Sequence, residues 1–272
     1  KMATRTMSSD AQNRRITERY FRGKYFYVKT MLAAGPANLL INGISQPVSV
    51  FLTGNPSSKK STVLELLRTL PQTVWSDSFS PASFVSGARN MDGEDLLPRL
   101  RNRCLITPEL SALFSGKDLP QTLGTLTRVL DGRGFVRHTG FGEAGYSDAI
   151  RMNWLAAVVN IPEKVWKILG HLGHRLLFLH IDDEHETFHD MENRMDHMLT
   201  EGRNYESKLS ICRNANMANL LAISERYPDG IEWRSDSDSQ TAKCTIARAA
   251  ITLRSLRGTV DPTLPKPIFE EP

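Results

Sequence analysis

The sequence predicts an α/β fold: a parallel sheet covered by helices on both faces, followed by a smaller helical domain. Three observations carry this. Compact apolar runs rich in β-branched residues alternate with stretches of helical periodicity. The first of these runs passes through a Gly/Pro/Ser turn straight into a helical segment. Near residue 184 the alternation gives way to charged, helical sequence.

The elements follow in order. Residues 9–33 read as one helix, with Ser8, Ser9 and Asp10 as capping residues and with aromatics mixed among arginines and lysines. Gly35-Pro36 ends it. The turn Asn42-Gly43 after a short apolar segment reads as a hairpin. Residues 48–53 (VSVFLT) read as a buried strand, and Val63, Leu64, Leu66, Leu67 and Leu70 then recur at helical spacing. Strands are expected at 73–77, 103–107, 153–159 and 175–181. Helices are expected around Leu96–Leu100, at 119–130 and around 165–169, and residues 134–148 read as a glycine-rich hairpin. Beyond 184, helices are expected at about 207–226 and 241–257, before a proline-rich end. The expected division is an N-terminal helical segment (1–34), an α/β domain (35–183), a helical domain (184–260) and a tail or linker (261–272).

Composition sets bounds. Of 272 residues 40% are apolar and 24% charged, an ordinary globular mix that excludes disordered and fibrous classes. No apolar run approaches the ~18 residues of a membrane helix, and no membrane partner is expected. The three cysteines, Cys104, Cys212 and Cys244, are scattered and odd in number, which predicts reduced thiols in a cytoplasmic protein. A net charge of +4 permits nucleic-acid binding without demanding it.

The strongest chemical signal is the turn after the first strand, Gly54-Asn55-Pro56-Ser57-Ser58-Lys59-Lys60-Ser61-Thr62. Gly-x-x-x-x-Lys-Lys-Ser between strand and helix has the layout of a phosphate-binding loop with one substitution. Such a loop turns backbone N–H groups toward a polyphosphate, with Lys60 on the β- and γ-phosphates and Ser61 on Mg²⁺. Lys59 stands where the second glycine is normally found. The alternative is a turn that caps a helix, with its lysines in solvent.

Further groups follow in order. An NTPase needs an acid at the end of a neighbouring strand. Glu109 supplies one after Cys104-Leu105-Ile106-Thr107, with Pro108 where an aspartate is expected. Asp77, at the end of the preceding strand, is a second candidate for the metal. Glu109 also reads as a helix N-terminal acid. Asn160, past residues 153–159, is placed for a γ-phosphate or an attacking water, or is a turn residue before Pro162. Arg175 is a candidate to neutralise transition-state charge across a subunit boundary, or a surface arginine at a strand edge.

Together, GNPSSKKST (54–62), WSDSFSPASF (75–84), LPRLRNRCLITPEL (97–110), LTRVLDGRG (126–134), NWLAAVVNIP (153–162) and LGHRLLFLHID (172–182) resemble the AAA+ P-loop ATPases. The likeness is to the prokaryotic and mobile-element branch near MCM and superfamily 3 helicases, over roughly residues 35–260. IARAAITLRSLRG (246–258) is similar to the last helix of an AAA+ lid. The resemblance implies a P-loop sheet with a small C-terminal helical lid, and ATP and Mg²⁺ as ligands. It implies Walker A at Gly54, Lys60 and Ser61, Walker B at Glu109, sensor 1 at Asn160, an arginine finger at Arg175 and sensor 2 at Arg248. It also implies a homo-oligomeric ring, a hexamer in many relatives, acting on DNA, with a protein partner as an alternative substrate. The segment from Phe135 to Arg151, carrying Arg137, His138, Phe141 and Tyr146, is then similar to a pore hairpin that contacts nucleic acid. Lys59 and Pro108 depart from the pattern and leave open a nucleotide-regulated scaffold with little hydrolysis. His185-Glu186-Thr187-Phe188-His189 matches the zinc motif H-E-x-x-H and leaves a metallopeptidase as a remote alternative.

Overall fold

The computed structural model describes residues 9–44, 46–85, 95–116, 119–139, 142–171, 176–181, 195, 204–232, 239–241, 243–245 and 247–248. Helices α1 (Ser9–Tyr20) and α2 (Tyr25–Leu32) precede strand β1 (Ser49–Thr53) and helix α3 (Lys60–Glu65). Then come β2 (Thr73–Trp75), α4 (Pro81–Phe84), α5 (Leu96–Arg99), β3 (Arg103–Thr107), α6 (Ser111–Phe114) and α7 (Leu119–Leu130). A hairpin of β4 (Phe135–Thr139) and β5 (Gly142–Tyr146) leads to β6 (Met152–Val158), α8 (Glu163–His171), β7 (Leu176–His180) and α9 (Tyr205–Arg226). Five strands form one sheet in the order β2-β3-β6-β1-β7, every neighbouring pair parallel. The α/β expectation is met at this level: a five-stranded parallel sheet flanked by helices.

Parallel strands buried on both faces explain the near-continuous apolar runs. Alternate side chains of β1, β3 and β6 feed two cores. Phe51, Leu105, Trp154, Ala156 and Val158 pack with Leu123, Leu126 and Val129 of α7 and Val165 of α8. Val50, Leu52, Cys104, Ile106, Leu155 and Ala157 pack with Val28, Met31 and Leu32 of α2 and with Val63, Leu64 and Leu67. Trp154 anchors the first core: its ring meets Phe51 edge-on at 4.7 Å, and its buried Nε1 donates to Thr107 Oγ1 at 3.0 Å. Burial pushes the Cys104 thiol well above its usual range and the Cys212 thiol up to about 11, so both are inert core residues.

Three expectations change in detail. Residues 9–33 are two helices. Gly23 takes a left-handed φ of +71°, and the Glu18 carboxylate accepts from the Gly23 and Tyr25 amides, closing α1 and opening α2. The Asn42-Gly43 turn forms no hairpin. Asn42 N donates to Ile231 O, and Ile231 N to Leu40 O, which docks the chain leaving α9 onto the start of the sheet domain. The stretch expected as a separate lid from 184 contains α9, and α9 packs on the N-terminal helices. Asn13 donates to Asn216 in a buried contact, and Asn216 donates to Leu66 O. One compact unit therefore runs to Ile231, and a second covers residues 232–272. The described part of the second unit is helical at 240–241, 243–245 and 247–248, with Thr245 Oγ1 donating to Thr241 O.

Candidate functional site

The chain leaves β1 at Thr53 through Gly54, whose φ is +148°. A Cβ there would lie 2.9 Å from Ile181 O and 3.1 Å from Ser58 Oγ, so glycine is required by both conformation and space. Ser57 and Lys59 then take left-handed φ values of +68° and +66°. Each costs about 1 kcal/mol or more for a residue with a Cβ. The strain is concentrated in one turn of six residues, 54–59.

That turn folds around Lys60. The side chain is only 5% exposed, and Nζ donates to Gly54 O at 2.7 Å, Asn55 O at 2.6 Å and Ser58 Oγ at 3.1 Å. The ammonium thus lies inside the turn, with two backbone carbonyls and a hydroxyl among its partners. A phosphate oxygen is an anionic acceptor and makes a stronger bond with it than a carbonyl does.

Ser61, next in line, donates from Oγ to Pro108 O at 3.3 Å. The helix after the loop therefore touches the backbone that carries Glu109. Glu109 is exposed; its Oε1 accepts from Ser111 N at 2.9 Å and Ser111 Oγ at 2.6 Å. Its other carboxylate oxygen accepts no hydrogen bond among the described residues. Leu110 N donates to Ala157 O and fixes this segment against β6.

Strand order supplies the third participant. β6 lies between β1 and β3, with Thr53 level with Val158 and Thr107 level with Ala156. Asn160, exposed and two residues past β6, therefore emerges between the loop and Glu109 at the same sheet edge. The chain after β1 crosses to one face of the sheet, and the chain after β6 to the other. Ligands of open parallel sheets bind at the carboxyl ends of strands where such a reversal occurs. Next to Ser61 and Thr62, a cleft of about 620 Å³ opens between α3 and α9, lined also by Glu65, Arg68, Tyr205 and Arg213.

The other expected residues stand elsewhere. Asp77 follows the outermost strand β2, and its Oδ1 accepts from Trp75 Nε1 at 2.9 Å. Arg248 is exposed and belongs to the second unit. Arg175, Phe141 and the His185–His189 motif fall outside the described residues. The 134–148 hairpin forms as β4 and β5, at the end of the sheet where β6 begins, opposite Lys60. Three side chains of the 135–151 segment serve the fold, while His138 is exposed. Phe135 and Tyr146 pack on the core, and Tyr146 Oη donates to Asp95 Oδ2. The Arg151 guanidinium binds Leu39 O, Ile41 O and Asn102 Oδ1.

Sequence reasoning missed Ser111, which orients Glu109, and Thr53 Oγ1 against His180 Nδ1 at 3.2 Å beside the loop. The spacing Glu-x-Ser after a proline was the available signal for the first. Among the described residues, no cluster of three His, Cys, Asp or Glu could hold a metal, and no helix is long and apolar enough to cross a membrane. No family model matches the chain, and no curated protein matches it.

Proposed function

We propose that the chain is a P-loop ATP-binding module of the AAA+ type that hydrolyses ATP in an assembled ring and remodels or moves along nucleic acid. The observation that supports it most is the convergence of three segments at one sheet edge: the strained loop around Lys60, Asn160, and Glu109, which Ser61 approaches through Pro108. Lys60 exchanges its carbonyl partners for the β- and γ-phosphates. The cleft beside Thr62 has a volume suited to the nucleoside end.

The oxygen donors at this edge suit Mg²⁺, a hard cation, and Ser61 would hold it with the phosphates. When bound, Mg²⁺ neutralises charge on the phosphate oxygens. Asp77 is left out of this set because it follows β2, three strands from β1 across the sheet. The free oxygen of Glu109 orients the attacking water, with Asn160 as a second hydrogen-bonding group. Arg175 acts on a neighbouring subunit's nucleotide; this role, like the sensor 2 assignment of Arg248, rests on the AAA+ resemblance.

A second reading, a nucleotide-regulated scaffold with little turnover, is favoured by two features. Pro108 replaces the expected aspartate, and Ser111 occupies one oxygen of Glu109. Single-turnover ATP hydrolysis with and without DNA separates the two. Turnover that is lost in Glu109→Gln with nucleotide binding retained supports the ATPase. Binding without turnover in the unaltered chain supports the scaffold. One zinc held tightly per chain in elemental analysis would instead revive the peptidase.

A further inference from the structure

The chain carries 34 basic and 30 acidic residues. Residues 9–30 hold six of the basic ones (Arg14, Arg15, Arg19, Arg22, Lys24, Lys29) and two of the acidic ones (Asp10, Glu18). This helical pair alone accounts for the net charge of +4, and the rest of the sequence is balanced. At ~100° per residue, Arg14, Arg15 and Arg19 fall on one arc of α1 about 140° wide, and all three are exposed, as is Arg22 just beyond.

The arc keeps a net positive charge. Glu18 lies within it and offsets one arginine, but its carboxylate accepts from the Gly23 and Tyr25 amides and ion-pairs with none of these arginines. Asp10, near Arg14, ion-pairs with Lys29 and accepts from Tyr25. Arg14, Arg15 and Arg22 make no side-chain hydrogen bond or ion pair among the described residues. Arg15 and Arg19 are four apart, a like-charge spacing that weakens a helix. Aromatic rings are interleaved with these cations. Arg19 lies over Tyr20 and Lys24 over Tyr27, and Phe26 is 63% exposed and edge-on to Tyr27. The opposite side of α1 buries Asn13 and Thr17, so it offers no apolar face to a lipid surface.

We infer that the α1–α2 elbow is a binding surface for single-stranded nucleic acid. Arg15, Arg19 and Arg22 contact successive phosphates, and Phe26 stacks on a base that only an unpaired strand exposes. This names the surface for the nucleic-acid part of the proposed function, in place of the β4–β5 hairpin, and is independent of its nucleotide part.

The test is fluorescence anisotropy of a labelled mixed-sequence 30-nucleotide DNA with the full chain, in the absence of ATP, across a salt series. With a slope of ~0.7 per phosphate contact on single strands, R15A/R19A/R22A should bind about a hundredfold more weakly at 0.1 M salt. The log–log salt slope should flatten by about 2. Phe26→Ala should weaken binding by about tenfold with the slope unchanged. These side chains are exposed, so melting temperatures should be preserved and serve as the folding control. Lys60→Ala should bind the oligonucleotide normally, so failure at the ATP site is read separately. Unchanged affinity and slope in R15A/R19A/R22A would overturn the inference. So would equal binding of duplex and single strand with Phe26→Ala silent, or binding of phosphatidylglycerol vesicles or polyglutamate without binding of the oligonucleotide.

Discussion

The Ser61 hydroxyl donates to the Pro108 carbonyl at 3.3 Å. This one contact brings the helix after the loop to the tip of β3, one residue from Glu109. It places a hydroxyl and a carboxylate-bearing segment side by side at the sheet edge where Asn160 also emerges.

Ser61→Ala tests whether that hydroxyl serves a cation. With Mg²⁺ present, ATP affinity should fall by about tenfold or more, the equivalent of one charge-assisted bond. Without Mg²⁺ the affinity should be unaltered. Equal losses in both conditions would make Ser61 a structural residue only. Isothermal titration with and without EDTA reads both.

Lys59 holds a φ of +66° where a glycine would sit without strain. Lys59→Gly relieves about 1 kcal/mol of strain but adds a similar amount of unfolded-chain entropy, so stability should change by less than ~1 kcal/mol. Lys59→Val, with a branched Cβ, should lose about 2 kcal/mol. Urea midpoints at equal m-values measure both.

The tie between α3 and α9 runs through Arg213. Its guanidinium meets Glu65 Oε2 at 2.6 Å, Glu65 O at 2.9 Å and Glu206 Oε1 at 2.7 Å, and the side chain is 13% exposed. Arg213→Met should cost about 1.5 kcal/mol by removing its hydrogen bonds to Glu65, whose carboxylate then keeps only the half-exposed Arg68. Glu206 is 77% exposed, so Glu206→Gln should cost no more than about 0.5 kcal/mol. Similar losses from the two variants would contradict this ranking.

Asp10 ties α1 to α2. The hydrogen bond from Tyr25 and the Lys29 ammonium hold its carboxyl below its usual 3.8. A lowered folded-state value stabilises above the unfolded value, and that stability is lost as pH falls through the folded one. Between pH 6 and pH 3 the unaltered chain should therefore lose more stability than Asp10→Asn does. Denaturant midpoints at the two pH values check the sign.

The sheet was legible because its strands are short, β-branched and punctuated by Gly and Pro; residues 103–107 and 119–130 have the bounds read from sequence. The break at Gly23 was not, because it depends on the Glu18 side chain reaching two amides across the turn. The place of α9 was hidden for a different reason: it buries Leu209, Cys212 and Leu220 in the second core, but Asn216, Asn219 and Arg213 break that face with polar side chains. In the site, the loop and its lysine were plain from spacing. The fold-back of Lys60 onto Gly54 O and Asn55 O was not, since only a closed turn brings those carbonyls to the ammonium. In the 135–151 segment, the spacing alone did not show that Arg151 reaches the backbone carbonyls near Leu39 or that Phe135 and Tyr146 pack on the core.

Whether the turn around Lys60 opens to take a polyphosphate is read by equilibrium titration of the full chain with a fluorescent ATP analogue, alongside Lys60→Ala. Binding should be saturable, strengthened by Mg²⁺ and displaced by unlabelled ATP, and Lys60→Ala should abolish it while its melting temperature shows an intact fold. Absence of binding in the unaltered chain, or equal affinity in Lys60→Ala, would rule out a phosphate site at this turn.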